Sequence, residues 1–272
     1  MIGVSIVTYH TSLEELGKCL SCLTSPLIGK IYIVDNAAEE RIRVFVGKYD
    51  KVEYIPSKNV GYGAGHNKAI KHSMAEGFKY HLVINSDIYF EHSVIESVIT
   101  YMDINTDVGQ LHPKMVCPDG TLQYTIRMLP TPFDLICRRF LPKCVAQKSR
   151  DRYLLKDLDH NAVQNVAYHQ GSFLLFRIEA LKCVGLFDER FFMYPEDIDI
   201  TRRIHREYRT VYYPCVTVTH CHRAESYHNY KLLWIHIVNI VRYFNKWGWF
   251  FDSERKKWNK HLELQMKNKF IY

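Results

Sequence analysis

No stretch of this chain approaches the ~18 consecutive uncharged apolar residues of a membrane-spanning helix. Its opening residues, Met1-Ile2-Gly3-Val4-Ser5-Ile6-Val7-Thr8, lack the basic region, apolar region and cleavage site of a secretory signal, and read as a strand. These absences predict a cytoplasmic chain in which the eight cysteines are reduced thiols. Cys19-x-x-Cys22 has no second pair at zinc spacing, so both read as small core residues. A dense basic stripe is also missing. The formal charge of +7 is spread along the chain, which argues against nucleic acid and suits an anionic small molecule or membrane surface. There is no repeat, no low-complexity linker, no G-x-G-x-x-G fingerprint and no Walker lysine.

What is present is apolar bulk. The 272 residues are 47% hydrophobic and 14% aromatic, with 19 Tyr, enough for a sizeable core. Apolar, β-branched runs predict strands over 2–9, 30–34, 52–55 and 80–84. Helical spacing predicts helices over 12–23, from the glycine-rich loop to about 75, and over 91–102. Ser12 and Glu15 have capping-box spacing at the start of the first helix. This order predicts an α/β fold with a mainly parallel, Rossmann-like central sheet flanked by helices. Residues 113–165 read as an inserted loop-and-helix segment over the site. Beyond them come a strand over 166–176, helices over 178–184 and 199–208, a strand over 210–220 placed at an edge by Pro214, and C-terminal helices with a basic tail.

Ligands of such sheets bind beyond the carboxyl ends of strands, where Thr8, Asp35 and Asp87 stand. Gly61, Gly63 and Gly65 allow close backbone approach to a phosphate or ribose ahead of a helix N-terminus; a tight turn is the plainer reading. Asp87, in Asn85-Ser86-Asp87, can hold a divalent cation against a diphosphate, or an acid there can cap the next helix. Glu196-Asp197-x-Asp199 places three carboxylates within four residues, suited to a general base or a metal, though acids also begin ordinary helices. In His220-Cys221-His222 alternate residues of a strand face one side; alone the pair is weak evidence for a metal.

Together these motifs resemble one family. Val4-Ser5-Ile6-Val7-Thr8-Tyr9, Val34-Asp35-Asn36, Asn59-x-Gly61-x-Gly63, Asn85-Ser86-Asp87, Gly171-Ser172-x-x-x-x-Arg177, Gly185-x-Phe187-Asp188-x-x-Phe191-Phe192, Glu196-Asp197-x-Asp199 and His220 follow the order of inverting family-2 glycosyltransferases of the GT-A fold. Asp119-Gly120-x-Leu122-Gln123 and Arg127-x-x-Pro130-Thr131 resemble the bacterial rhamnosyltransferase-like branch. The resemblance spans roughly residues 2–250. It implies one domain over 1–272: a nucleotide-sugar half (1–110), an acceptor and catalytic half (111–230), and a helical, basic tail (231–272).

It further implies a dTDP-rhamnose or UDP-hexose donor and a polysaccharide or lipid-linked glycan acceptor. Thr8, Tyr9, Asp35, Asn59, Gly61, Asn67, Asn85 and Ser86 would contact the donor. Asp87 and His220 would hold Mg²⁺ or Mn²⁺, with His222 a substitute. Asp197 would be the base, with Glu196 shaping the turn. Asn85 departs from the family's Asp-x-Asp pattern and removes one charge, which weakens the metal expectation. Competing readings are an inactive sugar-nucleotide-binding partner and a sugar-phosphate nucleotidyltransferase; the latter wants a glycine-rich basic loop where Thr8-Tyr9-His10 stands. The apolar segment from Leu232, with Trp247, Trp249, Phe250 and Phe251 and the lysines beyond, reads either as a peripheral contact with an anionic membrane or as a core-packed helix with a solvated tail.

Overall fold

The structure, a computed structural model, describes residues 1–135, 143–221 and 230–268; His222 lies outside them. Alternating apolar runs become strands β1 (Ile2–Thr8), β2 (Ile28–Asp35), β3 (Val52–Pro56) and β4 (Tyr80–Ile84). These four run parallel, in the order β3-β2-β1-β4. Beyond β4 the sheet is mixed. It continues through β8 (Phe173–Arg177), β6 (Val108–Val116), β9 (Arg209–His220) and the two-residue β5 (Ile88–Tyr89), with β7 (Gln164–Asn165) also against β9. β8 runs antiparallel to both β4 and β6, whereas β6 and β9 are parallel.

Both faces are covered. In β4, Leu82 and Ile84 pack into one core and Val83 into another; in β8, Phe173 and Leu175 take the first side, Leu174 and Phe176 the second. This is the period-two alternation of a strand buried on both faces. Helices α1 (Leu13–Cys22) and α4 (Ser93–Ile104) supply Leu16, Leu20, Val94 and Val98 to the first side. Helices α3 (Tyr62–Ala75), α6 (Ile178–Val184) and α7 (Glu196–Glu207) supply Ile70, Leu181 and Ile204 to the second. Helix α2 (Glu40–Val46), absent from the sequence reading, packs beside β3.

A third core gathers residues from 126–168 and the C-terminal helices. Ile126, Leu129 and Leu155, beyond helix α5 (Lys143–Tyr153), meet Phe191, Ile198, Tyr243 and Leu262. The last two belong to α8 (Tyr230–Trp247) and α9 (Ser253–Asn268). Arg202 of α7 fastens this end. It donates to both Asp252 oxygens at 2.7 and 2.6 Å, and its guanidinium lies 4.0 Å from the Trp247 ring centroid.

Two expectations change and a third is refined. Ser12 stands at the N-cap but makes no side-chain capping bond, and the Glu15 carboxylate, instead of reaching back to it, accepts the Ser86 hydroxyl at 2.6 Å. The strand expected over 166–176 is ladder-paired as β8 only from Phe173. Pro214 lies in a bulge of β9, where Pro113 pairs with Tyr213 and Lys114 with Thr217, on a stretch whose other side is paired only at Val211 and Tyr212 by β7 and at Thr219 and His220 by β5. The bulge absorbs the missing N–H of proline.

Candidate active site

The parallel register sets Thr8 opposite Asp35 at the carboxyl ends of β1 and β2. Both are fully buried, and the Thr8 hydroxyl donates to Asp35 Oδ1 at 3.1 Å. Asp35 also accepts from the Ala37 and Glu39 amides and the Tyr54 hydroxyl. Its carboxylate therefore shapes the turn after β2. Burial, then the bond to Asp35, pushes the Tyr54 phenol up to about 12. Tyr9 follows Thr8 with its ring exposed, and Asn59 is exposed with its side chain accepting from Gly61 N–H. Asn67 is buried and exchanges two hydrogen bonds with the backbone of Phe187, tying α3 to the loop before the acid turn.

The glycine motif is built for contact with that same loop. Gly61 has φ +94°, and a Cβ there would stand 2.2 Å from the Phe192 carbonyl oxygen. The next amide, Tyr62 N–H, donates to that carbonyl at 2.9 Å. A Cβ on Gly63 would meet Phe187 at 2.9 Å. The glycines thus permit two loops to touch at backbone level.

Asp87 and His220 are brought together by a two-rung ladder in which Ile88 pairs with His220. His220 Nε2 and Asp87 Oδ1 stand 3.4 Å apart. Gln123 fixes the imidazole. Its Nε2 donates to the His220 carbonyl at 2.8 Å, so its Oε1 is left to accept from His220 Nδ1–H at 2.9 Å. That tautomer turns the Nε2 lone pair toward a carboxylate oxygen, an arrangement that a cation or a proton between them relieves. One nitrogen and one carboxylate oxygen suit a divalent cation completed by substrate phosphates and water. Among the described residues no group of three or more His, Cys, Asp or Glu is placed to hold a metal ion.

Glu196 and Asp197 open α7 and are buried, at 4% and 8% exposure. Asp197 is addressed by two backbone donors, Ile198 N–H to Oδ1 at 2.8 Å and Gly171 N–H to Oδ2 at 3.0 Å. Burial lifts its carboxyl to about 7 against the pull of those amides and of Arg127. Burial, and then the charge of Asp197, lifts Glu196 well above the usual carboxyl range. Asp199 is scaffold: it accepts from Arg203, Lys246 and Trp247.

Tyr62, which the sequence reading passed over inside the glycine motif, stands between the two acid sites. Its oxygen lies 2.7 Å from the Gly171 carbonyl and 2.8 Å from the Asn85 amide. A phenol has one proton for two partners. If it goes to Gly171, the Asn85 amide donates in return, which an aspartate could not do. Burial, then the charges of Glu196, Asp197 and Asp87, raise this phenol well above its usual range. Ser86 points away, to Glu15. Gln123, Arg127 and Gly171 stood in the motifs without roles; their partners lie too far along the chain for spacing to reveal them.

The sheet, with the Thr8–Asp35 edge, the Asp87–His220 pair and the buried Glu196–Asp197 turn set on it, has the fold of the GT-A glycosyltransferases. The family model of glycosyl transferase family 2 matches residues 4–185, and the chain belongs to that family. It is 27% identical over 242 residues to the N-acetylglucosaminyl-diphospho-decaprenol L-rhamnosyltransferase of Mycobacterium tuberculosis, covering 83% of this chain and 77% of that protein. It is 24% identical over 232 residues to the low-salt glycan biosynthesis hexosyltransferase Agl10 of Haloferax volcanii, covering 84% and 67%. The fold is shared with GalNAc-T7, solved with UDP, GalNAc and Mn²⁺: TM-score 0.68 at 13% identity, over 94% of this chain. The chain spans about half of that structure, 49%. Family membership sets aside the nucleotidyltransferase reading.

Proposed function

We propose that the protein transfers one hexosyl or rhamnosyl unit, with inversion, from a dTDP- or UDP-sugar to a hydroxyl of a lipid-linked glycan or polysaccharide. The observation that supports this reading is the Tyr62 hydroxyl, 2.7 Å from the carbonyl of Gly171, whose amide addresses Asp197, and 2.8 Å from the side chain of Asn85, two residues before Asp87. Tyr9 offers an exposed ring for stacking on the base. Thr8 and Asp35 hold the turn beside it, Asn59, Gly61 and Asn67 frame the phosphates, and Asn85 borders the sugar, while Ser86, bonded to Glu15, braces that strand end. Residues 1–110 carry this donor side, and 111–230 the acceptor side.

In the transfer, Asp197 takes the proton of the acceptor hydroxyl while the acceptor oxygen attacks the anomeric carbon and the diphosphate departs with its electron pair. Asp87 and His220 would hold Mg²⁺ or Mn²⁺, which neutralises charge developing on the leaving diphosphate. The two backbone amides on Asp197 fix the direction in which its remaining lone pairs point.

The acceptor named for the mycobacterial relative is a lipid diphosphate, and α8 and the turn after it suit a membrane surface. Trp234 and Val241, seven residues apart, share the outer face of α8, while Ile240, Tyr243 and Phe244 fill the core. Phe250 and Phe251 are 80% and 97% exposed, followed by the exposed Lys256, Lys257 and Lys260. Among the described residues no helix is long and apolar enough to cross a membrane, so the contact proposed is peripheral, at the cytoplasmic face. The test is transfer from a panel of dTDP-, UDP- and GDP-sugars to a diphospholipid-linked sugar, with and without Mn²⁺. Product from none of them would refute the reading.

A further inference from the structure

Glu196 and Asp197 are adjacent, buried carboxyls, and two such groups do not both ionise cheaply. Their surroundings differ. Each Asp197 oxygen accepts a backbone N–H, whereas Glu196 Oε2 is buried with no hydrogen-bond partner among the described residues. A cation stands on the Asp197 side. Arg127 lies on a segment bridged to 168–170, through Arg127 N–H to the Tyr168 carbonyl and Gln170 N–H to the Thr125 carbonyl. Its guanidinium donates to the Tyr124 carbonyl at 3.2 Å, the Tyr168 hydroxyl at 3.2 Å and Gln170 Oε1 at 3.3 Å. All three are neutral, and among the described residues Arg127 forms no ion pair within 4.0 Å. Gln170 directly precedes Gly171, whose amide addresses Asp197, so Arg127 is tied to the residue beside that amide.

We propose that Glu196 and Asp197 share a single proton, held on Glu196, and that Arg127 is the positioning cation that keeps Asp197 ionised to receive the acceptor's proton. The inference rests on Asp197 being the base. The other groups around the pair are Tyr62 from α3, Asp87 beyond it, and Tyr153 and Tyr168 beside Arg127. The Glu196 proton is not consumed. It lowers the negative charge of the pair, so that an incoming diphosphate and a departing proton meet one carboxylate rather than two. Arg127 lowers the affinity of Asp197 for a proton before substrate arrives, so loss of its charge raises that affinity.

Two measurements decide it. Infrared spectra of the donor-free protein at pH 9, well above the range in which Asp197 itself titrates, should show a protonated carboxyl band that disappears in Glu196→Gln and persists in Asp197→Asn. In Arg127→Met the acid limb of the kcat/KM profile should move up by about one pH unit or more, and in Arg127→Lys by less. A band that survives Glu196→Gln, or is lost in Asp197→Asn, overturns the assignment of the proton. An Arg127→Met profile that superimposes on the parent while KM for a diphosphate-bearing acceptor rises overturns the role of Arg127 and makes it an acceptor contact. If Asp197→Asn keeps its turnover, the base reading fails, while the infrared result still reports where the proton sits.

Discussion

Asp87 Oδ1 and His220 Nε2 face each other across 3.4 Å, and the amide of Gln123 decides which side of the imidazole carries the proton. The pair is complete as a two-point grip for a divalent ion only in that tautomer. Removing the grip is therefore expected to uncouple donor from metal. In Asp87→Asn and His220→Ala, calorimetry should find donor binding insensitive to Mn²⁺. Metal-dependent donor binding that survives in both variants removes the site from contention.

Gln123→Ala leaves both ligands in place but frees the ring. Partners that orient a metal-binding histidine are worth roughly 10–100-fold in affinity or activity. A loss of that size in Mn²⁺ affinity is expected in a fluorescence or calorimetric titration, and parental affinity would show that the imidazole is held by something else.

Asp197→Asn should lower kcat by about 10²–10⁴-fold, the usual contribution of a positioned base, with donor affinity near parental. The base acts only when ionised, and burial lifts it to about 7, so parental kcat/KM should rise with pH and level off above that value. A profile flat from pH 5 to pH 8 contradicts this role.

Glu196 bears on stability. Its folded carboxyl is raised above its unfolded value, so the folded state binds the proton more tightly. Stability is then fully present below about pH 4.3, the unfolded value, and declines as pH rises toward the folded value. Glu196→Gln removes that decline. Its melting temperature should exceed the parent's by more at pH 8 than at pH 5; an equal difference at both contradicts the burial argument.

Gly61→Ala forces a side chain into a glycine-only backbone region and against the Phe192 carbonyl. A loss of at least ~1–3 kcal/mol in denaturant unfolding is expected from the backbone alone. Turnover should fall with it, because Phe192 belongs to the loop that leads into Glu196 and Asp197.

The sequence carried the parts of the fold that obey local rules. Strands such as Tyr80–Ile84 declare themselves by unbroken apolar character, and α6 by its spacing. Helix α2 was not legible because Glu40, Arg41 and Arg43 crowd its first turn and only Ile42 and Val46 are buried. The bulge at Pro214 depends on β6, a hundred residues earlier in the chain, and local rules see only a proline in a strand. In the site, acids at strand ends and at the Glu196 turn were visible as types. The Gly171 amide, the Arg127 charge and the Gln123 clamp were not, since each acts on a residue brought near only by the sheet.

The bonds that hold the pocket span long stretches of chain. Tyr62 reaches Gly171 across 109 residues, Asn67 reaches Phe187 across 120, and Gln123 reaches His220 across 97. Such contacts repay their loop-closure entropy late in folding. A nascent chain leaving the ribosome can assemble β1 to β4 early, but it has no working pocket until β9 has emerged and paired. Truncations that end before His220 should therefore yield a nucleotide-shaped edge without a catalyst, and neither half of the chain can be expected to acquire activity alone.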